Sequence, residues 1–150
     1  MARRPIALVT AAVLLLEAPA IVGLNAVMAR FVEAQSMSLD GLDPDHMVTG
    51  TWALGIGSGA ALLLCALVAL LTGLRDRAPG RFGRGLLIGC AVVHGVLGAV
   101  AVGLIGWTAF AVLMGVVGLI VLTLVAYAKE PGVPAEPKAS ASGEAEAATA

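Results

Sequence analysis

Four long apolar segments dominate the sequence, and most polar residues lie between them. The segments cover about residues 5–31, 48–74, 85–105 and 108–127. A helix needs roughly 20 residues to cross about 30 Å of hydrocarbon, and each segment reaches that length. Because the bilayer offers the backbone no water to bond, a spanning segment of this kind must be helical. We therefore expect an all-α, polytopic membrane protein, with residues 1–129 forming four transmembrane helices in an up-down bundle.

The third and fourth segments are nearly continuous, so their separation needs an argument. Read as one helix, residues 85–127 would be about 65 Å long, which is twice the thickness of the hydrocarbon core. Two antiparallel helices are therefore required. The sequence places the break at Gly106, Trp107 and Thr108, where a glycine permits a tight turn and a tryptophan suits the membrane interface.

Basic residues collect on alternate sides of the predicted spans. Two arginines precede the first helix, four lie between the second and third helices, and two lysines follow the fourth, whereas Arg30 is the single basic residue on the other side. Cytoplasmic loops carry the excess of Lys and Arg, so we expect both termini inside the inner (plasma) membrane. The four-arginine loop could also recruit anionic lipid, but we favour a role in topology alone. The basic side contains Arg3, Arg4, Arg75, Arg77, Arg81, Arg84, Lys129 and Lys138.

Composition supports the membrane assignment and argues against nucleic-acid binding and against a disulfide-based fold. Of the residues, 59% are hydrophobic and 13% are charged, against about 25% charged in soluble domains. A net charge of −1 leaves no surplus of basic surface for nucleic acid. Cys65 and Cys90 lie inside apolar segments and do not indicate a secreted disulfide framework. The bias toward Ala, Gly, Val, Leu and Arg is typical of a GC-rich genome and favours a bacterial source.

Both ends of the chain allow further predictions. Residues 1–20 also have features of a secretory signal, with two arginines, an apolar stretch and Ala18-Pro19-Ala20 as a cleavage-like motif. The apolar stretch continues well beyond Ala20, so we favour a membrane helix. Residues 130–150 contain Pro, Ala, Ser, Gly and Glu and cannot bury enough apolar surface to offset chain entropy, so a disordered cytoplasmic tail is expected.

Small residues recur at spacings of three or four on three of the predicted helices. Such spacing lets another helix approach closely, and membrane helices associate through close packing of this kind. The faces could serve packing within the chain or oligomerisation, and we favour packing within the chain. They are formed by Gly55 and Gly59; by Gly85, Gly89, Gly95, Ala99 and Gly103; and by Ala111, Gly115 and Gly118.

Three polar residues within the predicted helices are candidate site residues. Glu17 lies about 18 Å along the first helix, counted from Pro5, where a charge costs on the order of 2.5–3.5 kcal/mol. Asn25 follows two turns later on a similar face. His94 reaches a similar depth in the third helix, so a contact between Glu17 and His94 is expected. The group could form a proton- or cation-coupled site, or a structural hydrogen bond within the bundle.

Metal binding is a weaker possibility at two places, and no cofactor is expected. Cys65, Cys90 and His94 could bind a soft metal or help to hold a haem, but the usual ligand spacings are missing. In the first loop, Asp40, Asp43, Asp45 and His46 could hold a divalent cation. A structural interpretation fits that loop better, with Asp43 as a helix N-cap, Pro44 in the first helical position and Asp45 in the first turn.

The layout resembles small, uncharacterised four-helix integral membrane proteins of GC-rich actinobacteria. The shared features are the arginine-bearing start, Leu16-Glu17 in the first helix, the arginine-rich second loop and the polar tail, and they imply no activity. The chain is also similar to the small multidrug resistance family, whose embedded glutamate would correspond to Glu17. It departs from that family in its long first loop, its single orientation and its lack of aromatic residues near mid-membrane.

The leading hypothesis is a non-enzymatic accessory or partner-binding subunit in the lipid bilayer, associating with copies of itself or with another membrane protein. The second hypothesis is a small proton-coupled transporter that uses Glu17. The third is a membrane redox or metal protein that uses Cys65, Cys90 and His94.

Overall fold

The computed structural model describes residues 3–35 and 43–128, and within these ranges it contains four α-helices and no strand. They are α1 (Arg3–Gln35), α2 (Pro44–Arg75), α3 (Arg81–Leu104) and α4 (Trp107–Ala126). Each is long and apolar enough to cross a membrane. The predicted all-α architecture with four spans is therefore confirmed. The predicted disordered tail, residues 130–150, and Asp40 of the first loop lie outside the described residues.

The helices differ in length by more than the apolar segments indicate. The 33 residues of α1 correspond to about 50 Å, and the 20 residues of α4 to about 30 Å. Beyond the apolar segment the polar residues continue the helix in water, because the hydrogen bonds within the helix still pair their backbone N–H and C=O groups. The hairpin of α1 and α2 is therefore longer than the hairpin of α3 and α4, and its extra length lies beside the loop between α1 and α2.

Local sequence determines where the helices begin and end. The Asp43 carboxylate accepts a hydrogen bond of 3.0 Å from the backbone N–H of Asp45, and Pro44 occupies the first turn of α2. The predicted cap is confirmed. Between α3 and α4, Gly106 has φ 111°, a conformation that glycine adopts without steric cost. The predicted break at this glycine is also confirmed.

Small residues bring α1 and α2 into close contact. A Cβ atom on Gly55 would lie 2.5 Å from the Asn25 Cβ, and one on Gly59 would lie 2.5 Å from Val22 Cγ2. The α1 residues that these glycines meet include Ala18, Val22 and Asn25, which follow one another at spacings of four and three. The predicted use of Gly55 and Gly59 for packing within the chain is confirmed. The buried residues of α1 are Ala7, Thr10, Ala11, Leu14, Ala18 and Ala29.

The glycines of α3 and α4 behave differently. Nothing lies within 4 Å of a Cβ placed on Gly85, Gly89, Gly95 or Gly103, or on Gly115 or Gly118 of α4. The prediction that these faces pack within the chain is wrong. The reason is that the inward face of α3 passes through Leu87, His94 and Gly98, and the glycines of the predicted stripe lie off that face. The buried residues of α3 are Gly83, Leu87, His94, Gly98 and Ala101.

All four helices contribute to one core cluster, which contains Leu14, Cys65, Ala66, Leu87, Val116 and Ile120. A buried polar contact lies beside it, where the Thr10 and Thr123 hydroxyl oxygens are 2.8 Å apart and join α1 to α4. By contrast, α2 and α3 touch along little of their length. The two hairpins are therefore held together mainly through α1, α4 and the core.

A polar cluster joins three helix ends at one end of the bundle. Asp76, in the left-handed conformation at φ 49°, lies 3.3 Å from Arg3 Nε and 3.5 Å from Arg4 Nε. The Tyr127 hydroxyl donates to the same carboxylate over 3.1 Å, and the Arg3 guanidinium lies 5.7 Å from the Tyr127 ring centre. The start of α1, the end of α2 and the end of α4 thus meet at what we call the basic end.

Candidate intramembrane polar site

Glu17 and His94 meet inside the bundle. The His94 Nε2 atom lies 3.1 Å from the Glu17 Oε2 atom, so the contact predicted from the sequence is present. Counted from Arg3 and from Arg81, both residues lie about 20 Å from the basic end, well within the thickness of the hydrocarbon core. The bond joins α1 to α3, one from each hairpin.

The helical periods of α1 and α3 bring these side chains together. Glu17 lies between Leu14 and Ala18, two buried residues of α1 that face the neighbouring helices. His94 is seven residues after Leu87 and four before Gly98, so all three lie on the inward face of α3. Residues at these spacings share one face of a helix. The site is thus a polar position within two otherwise apolar faces.

The hydrogen bonds of His94 determine where protons lie. Its Nδ1 atom is 2.8 Å from the backbone carbonyl oxygen of Cys90. A carbonyl can only accept a hydrogen bond, so Nδ1 carries a proton. Nε2 and the Glu17 carboxyl then share one further proton, as either a neutral imidazole with a carboxylic acid or an imidazolium with a carboxylate. Both arrangements have the same net charge of zero, which suits a low-dielectric interior.

The two partners differ in exposure. The side chain of His94 is 7% exposed and that of Glu17 is 26% exposed. Among the described residues, no buried side-chain nitrogen or oxygen lacks a hydrogen-bond partner. The histidine is thus enclosed with both ring nitrogens occupied, whereas one edge of the glutamate remains accessible from outside the bundle.

The two cysteines lie near His94 without forming a ligand set. Cys90 Sγ is 3.6 Å from His94 Nδ1, and Cys65 Sγ is 3.8 Å from the Leu86 carbonyl oxygen, one turn before Cys90. Because Nδ1 already carries a proton directed at a carbonyl, it cannot act as the base for the Cys90 thiol. Within residues 3–35 and 43–128, no group of three metal-ligating side chains is assembled. The described residues therefore do not bring Cys65, Cys90 and His94 together as a set of metal ligands.

The remaining candidates lie elsewhere. The Asn25 side-chain amide donates to the Ile21 carbonyl oxygen over 2.9 Å and its Cβ packs on Gly55, so it belongs to the α1–α2 interface and not to the Glu17–His94 pair. Of the candidates predicted in the first loop, Asp43 acts as the cap of α2, and Asp45 and His46 are exposed in the first turn of that helix.

Sequence reasoning missed two polar contacts, the Thr10–Thr123 pair and the Asp76 cluster. Threonines are common in membrane helices, so the only signal for the first was that Thr10 and Thr123 fall at similar distances from the basic side. For the second, Asp76 is the single acid among the four arginines of its loop. That isolation could have identified it as a partner for the nearby arginines.

No protein-family model matches the sequence, and comparison with curated proteins and with solved structures finds no similar protein.

Proposed function

We propose that this protein is a non-enzymatic accessory or partner-binding subunit of a membrane, in which the Glu17–His94 pair holds the two hairpins together. The observation that carries the proposal is that both ring nitrogens of His94 are engaged by groups of this chain. A buried pair of this kind joins helices whose apolar surfaces gain nothing from leaving lipid. His94 then has no ring nitrogen left for an external partner.

A concave surface on the outer side of α1 and α2 is suited to such a partner. It has a volume of about 740 Å³ and lies beside Pro19. Several of its residues are small, which allows close approach of a transmembrane helix. We call this surface the Pro19 groove. It is lined by Leu15, Ala18, Pro19, Val22, Gly23, Ile56, Gly59, Ala60 and Leu63.

The orientation is part of the same proposal. Arg3, Arg4 and the arginines of the α2–α3 corner lie at the basic end, and the positive-inside rule places such an end in the cytoplasm. Both termini of the transmembrane region would then face the cytoplasm of a bacterial cell. A reporter fused after residue 128 that is active only in the cytoplasm tests this orientation, and activity of a periplasmic reporter at that position would contradict it.

Site-specific photo-crosslinking tests the partner-binding proposal. A photoreactive residue at Ala60, inside the Pro19 groove, should yield a discrete cross-linked protein in native membranes. The same residue at Val112, which is 63% exposed on α4, is the matched control and should yield none. Equal products at both positions would mean random collision, and no product at Ala60 would contradict binding in the groove.

A second function, proton-coupled transport, is favoured by one observation: the proton shared by Glu17 and His94 lies deep in the membrane beside a carboxyl that is 26% exposed. Glu17→Gln separates the two proposals. A glutamine amide can still donate to Nε2, so the structural role predicts stability close to that of the original chain, whereas Glu17→Leu should be destabilised. Transport predicts that Glu17→Gln abolishes proton uptake by proteoliposomes, measured with a pH-sensitive dye under an imposed gradient.

A further inference from the structure

We propose that the basic end of α3 binds an anionic phospholipid, with the headgroup on Arg81 and Arg84 and an acyl chain along Gly85 and Gly89. We call this face of α3, including Phe82, the lipid surface. The inference replaces the role in topology alone that the sequence favoured for these arginines. It concerns a different face from the Pro19 groove and does not depend on the proposed function.

In the described part of the chain, no nearby carboxylate neutralises the positive charges of the arginines at the α2–α3 corner. Asp76 is the acidic residue nearest to them, and its two carboxylate oxygens are already bound by Arg3 and Arg4. Across residues 3–35 and 43–128, no ion pair involves the arginines of this corner, and all four are exposed. Guanidinium groups bind phosphate oxygens well, often through two parallel hydrogen bonds. The four are Arg75, Arg77, Arg81 and Arg84.

Neighbouring apolar features indicate a lipid in preference to a soluble anion. Phe82 lies between the two arginines of the lipid surface and is 83% exposed, so its ring needs hydrocarbon beside it. Gly85 and Gly89 follow Arg81 at intervals of four and therefore continue along the same face of α3. A Cβ on either glycine would meet nothing within 4 Å. The face thus offers charge at headgroup level and, directly below it, a strip of helix surface without side chains.

Charge complementarity also decides against a second copy of the chain on this face. Copies that insert with the same orientation would meet through parallel α3 helices, and Arg81 and Arg84 of one copy would face the same residues of the other. Arginines that face one another repel, so their charges would have to be neutralised before the two copies could meet. A phospholipid with a net negative headgroup supplies the opposite charge and needs no second basic surface.

Lipid titration of the purified full chain tests the proposal. In a neutral detergent, phosphatidylglycerol should raise the melting temperature at lower concentrations than phosphatidylcholine does. An arginine near an anionic lipid surface contributes about fivefold in affinity, so the Arg81→Gln/Arg84→Gln double variant should bind phosphatidylglycerol about 25-fold more weakly. Gly85→Leu/Gly89→Leu should weaken binding while leaving the charges intact.

Two control variants match these substitutions. Arg30→Gln removes an arginine at the opposite end of the bundle, and Gly115→Leu fills an equally open position on α4. Both should keep the affinity of the original chain for phosphatidylglycerol. An equal loss in the controls would mean that the lipid acts on the whole surface, which contradicts a site on α3.

Three further results would overturn the proposal. The first is equal stabilisation by the two lipids. The second is full stabilisation by inorganic phosphate alone, which would identify a site for a free anion. The third is efficient cross-linking between copies through Gly89→Cys in membranes rich in phosphatidylglycerol, which would show a second copy on this face. Stabilisation by phosphatidylglycerol that is lost in both double variants and kept in the controls would support the proposal.

Discussion

Substitution of Gly55 by alanine should force α1 and α2 apart. The added Cβ would lie 2.5 Å from the Asn25 Cβ, whereas carbon atoms in good contact are about 3.5–4.0 Å apart. The Asn25 Cβ is bonded directly to the backbone, so no rotamer change can move it away. The clash is relieved only if the helices separate by about 1 Å at this point.

The size of the effect follows from two opposing contributions. Overpacking of a tight interface typically costs about 1–3 kcal/mol. Replacing a helical glycine by alanine returns up to about 1 kcal/mol through backbone entropy. We therefore expect Gly55→Ala to lower the free energy of unfolding by about 1–2 kcal/mol.

Gly57 provides the matched control, because it lies in the same helix and a Cβ there would meet nothing within 4 Å. Gly57→Ala should be neutral or slightly stabilising. Unfolding by SDS in mixed micelles, followed by tryptophan fluorescence, measures both variants, and Trp52 lies one turn from Gly55. The close-packing argument fails if Gly55→Ala unfolds at the same SDS fraction as Gly57→Ala or at a higher one.

The same unfolding assay tests three further expectations. Thr10→Val should cost about 0.6 kcal/mol, a typical value for a hydrogen bond between membrane helices, and the double variant with Thr123→Val should cost little more, because the bonds to Thr123 and to the Leu119 carbonyl oxygen both use the Thr10 hydroxyl; strictly additive losses would contradict that sharing. Burial and the hydrogen bond to Asp76 raise the pKa of Tyr127 above its ordinary value of 10.0, so the contribution of this bond to stability is complete below about pH 10 and is lost as the pH rises through the folded pKa. Tyr127→Phe should therefore show a smaller loss of stability between pH 9 and pH 11 than the original chain, and equal losses would refute the role of the phenol. Asp76→Ala should be less stable than Asp76→Asn, because alanine pays about 1–2 kcal/mol in the left-handed conformation that asparagine tolerates; equal stability of the two variants would show that the backbone conformation contributes nothing.

The contact between Glu17 and His94 could be predicted because α1 and α3 start from the same side of the membrane, so the depths of the two residues can be compared. Their depths follow from 1.5 Å per residue, and two polar groups at one depth inside a small bundle have few other partners. The proton arrangement could not be predicted in this way. It depends on the bond from His94 Nδ1 to the Cys90 carbonyl oxygen, which is set by a side-chain rotamer.

The faces of α3 were harder to assign than those of α2. Both helices carry glycines four residues apart, but Gly55 and Gly59 of α2 face α1. In α3 the inward face carries Leu87, His94 and Gly98, and the glycines spaced by four lie outside it. Spacing identifies a smooth face and does not say which neighbour covers it. Tyr127 shows the same limit, because its position at the end of the fourth segment does not reveal that it is 5% exposed and hydrogen-bonded to Asp76 at the end of α2.

The difference between the hairpins has a consequence for the order of assembly. The α1–α2 hairpin has its own interface of small residues and emerges first from the ribosome, so it can form before the rest of the chain is made. The α3–α4 hairpin contributes little contact to α2 and must dock on a partner that already exists. The bonds of Thr10 and Glu17 to the second hairpin would then be the last to close, and a chain interrupted after α2 should still yield a protease-resistant helical pair.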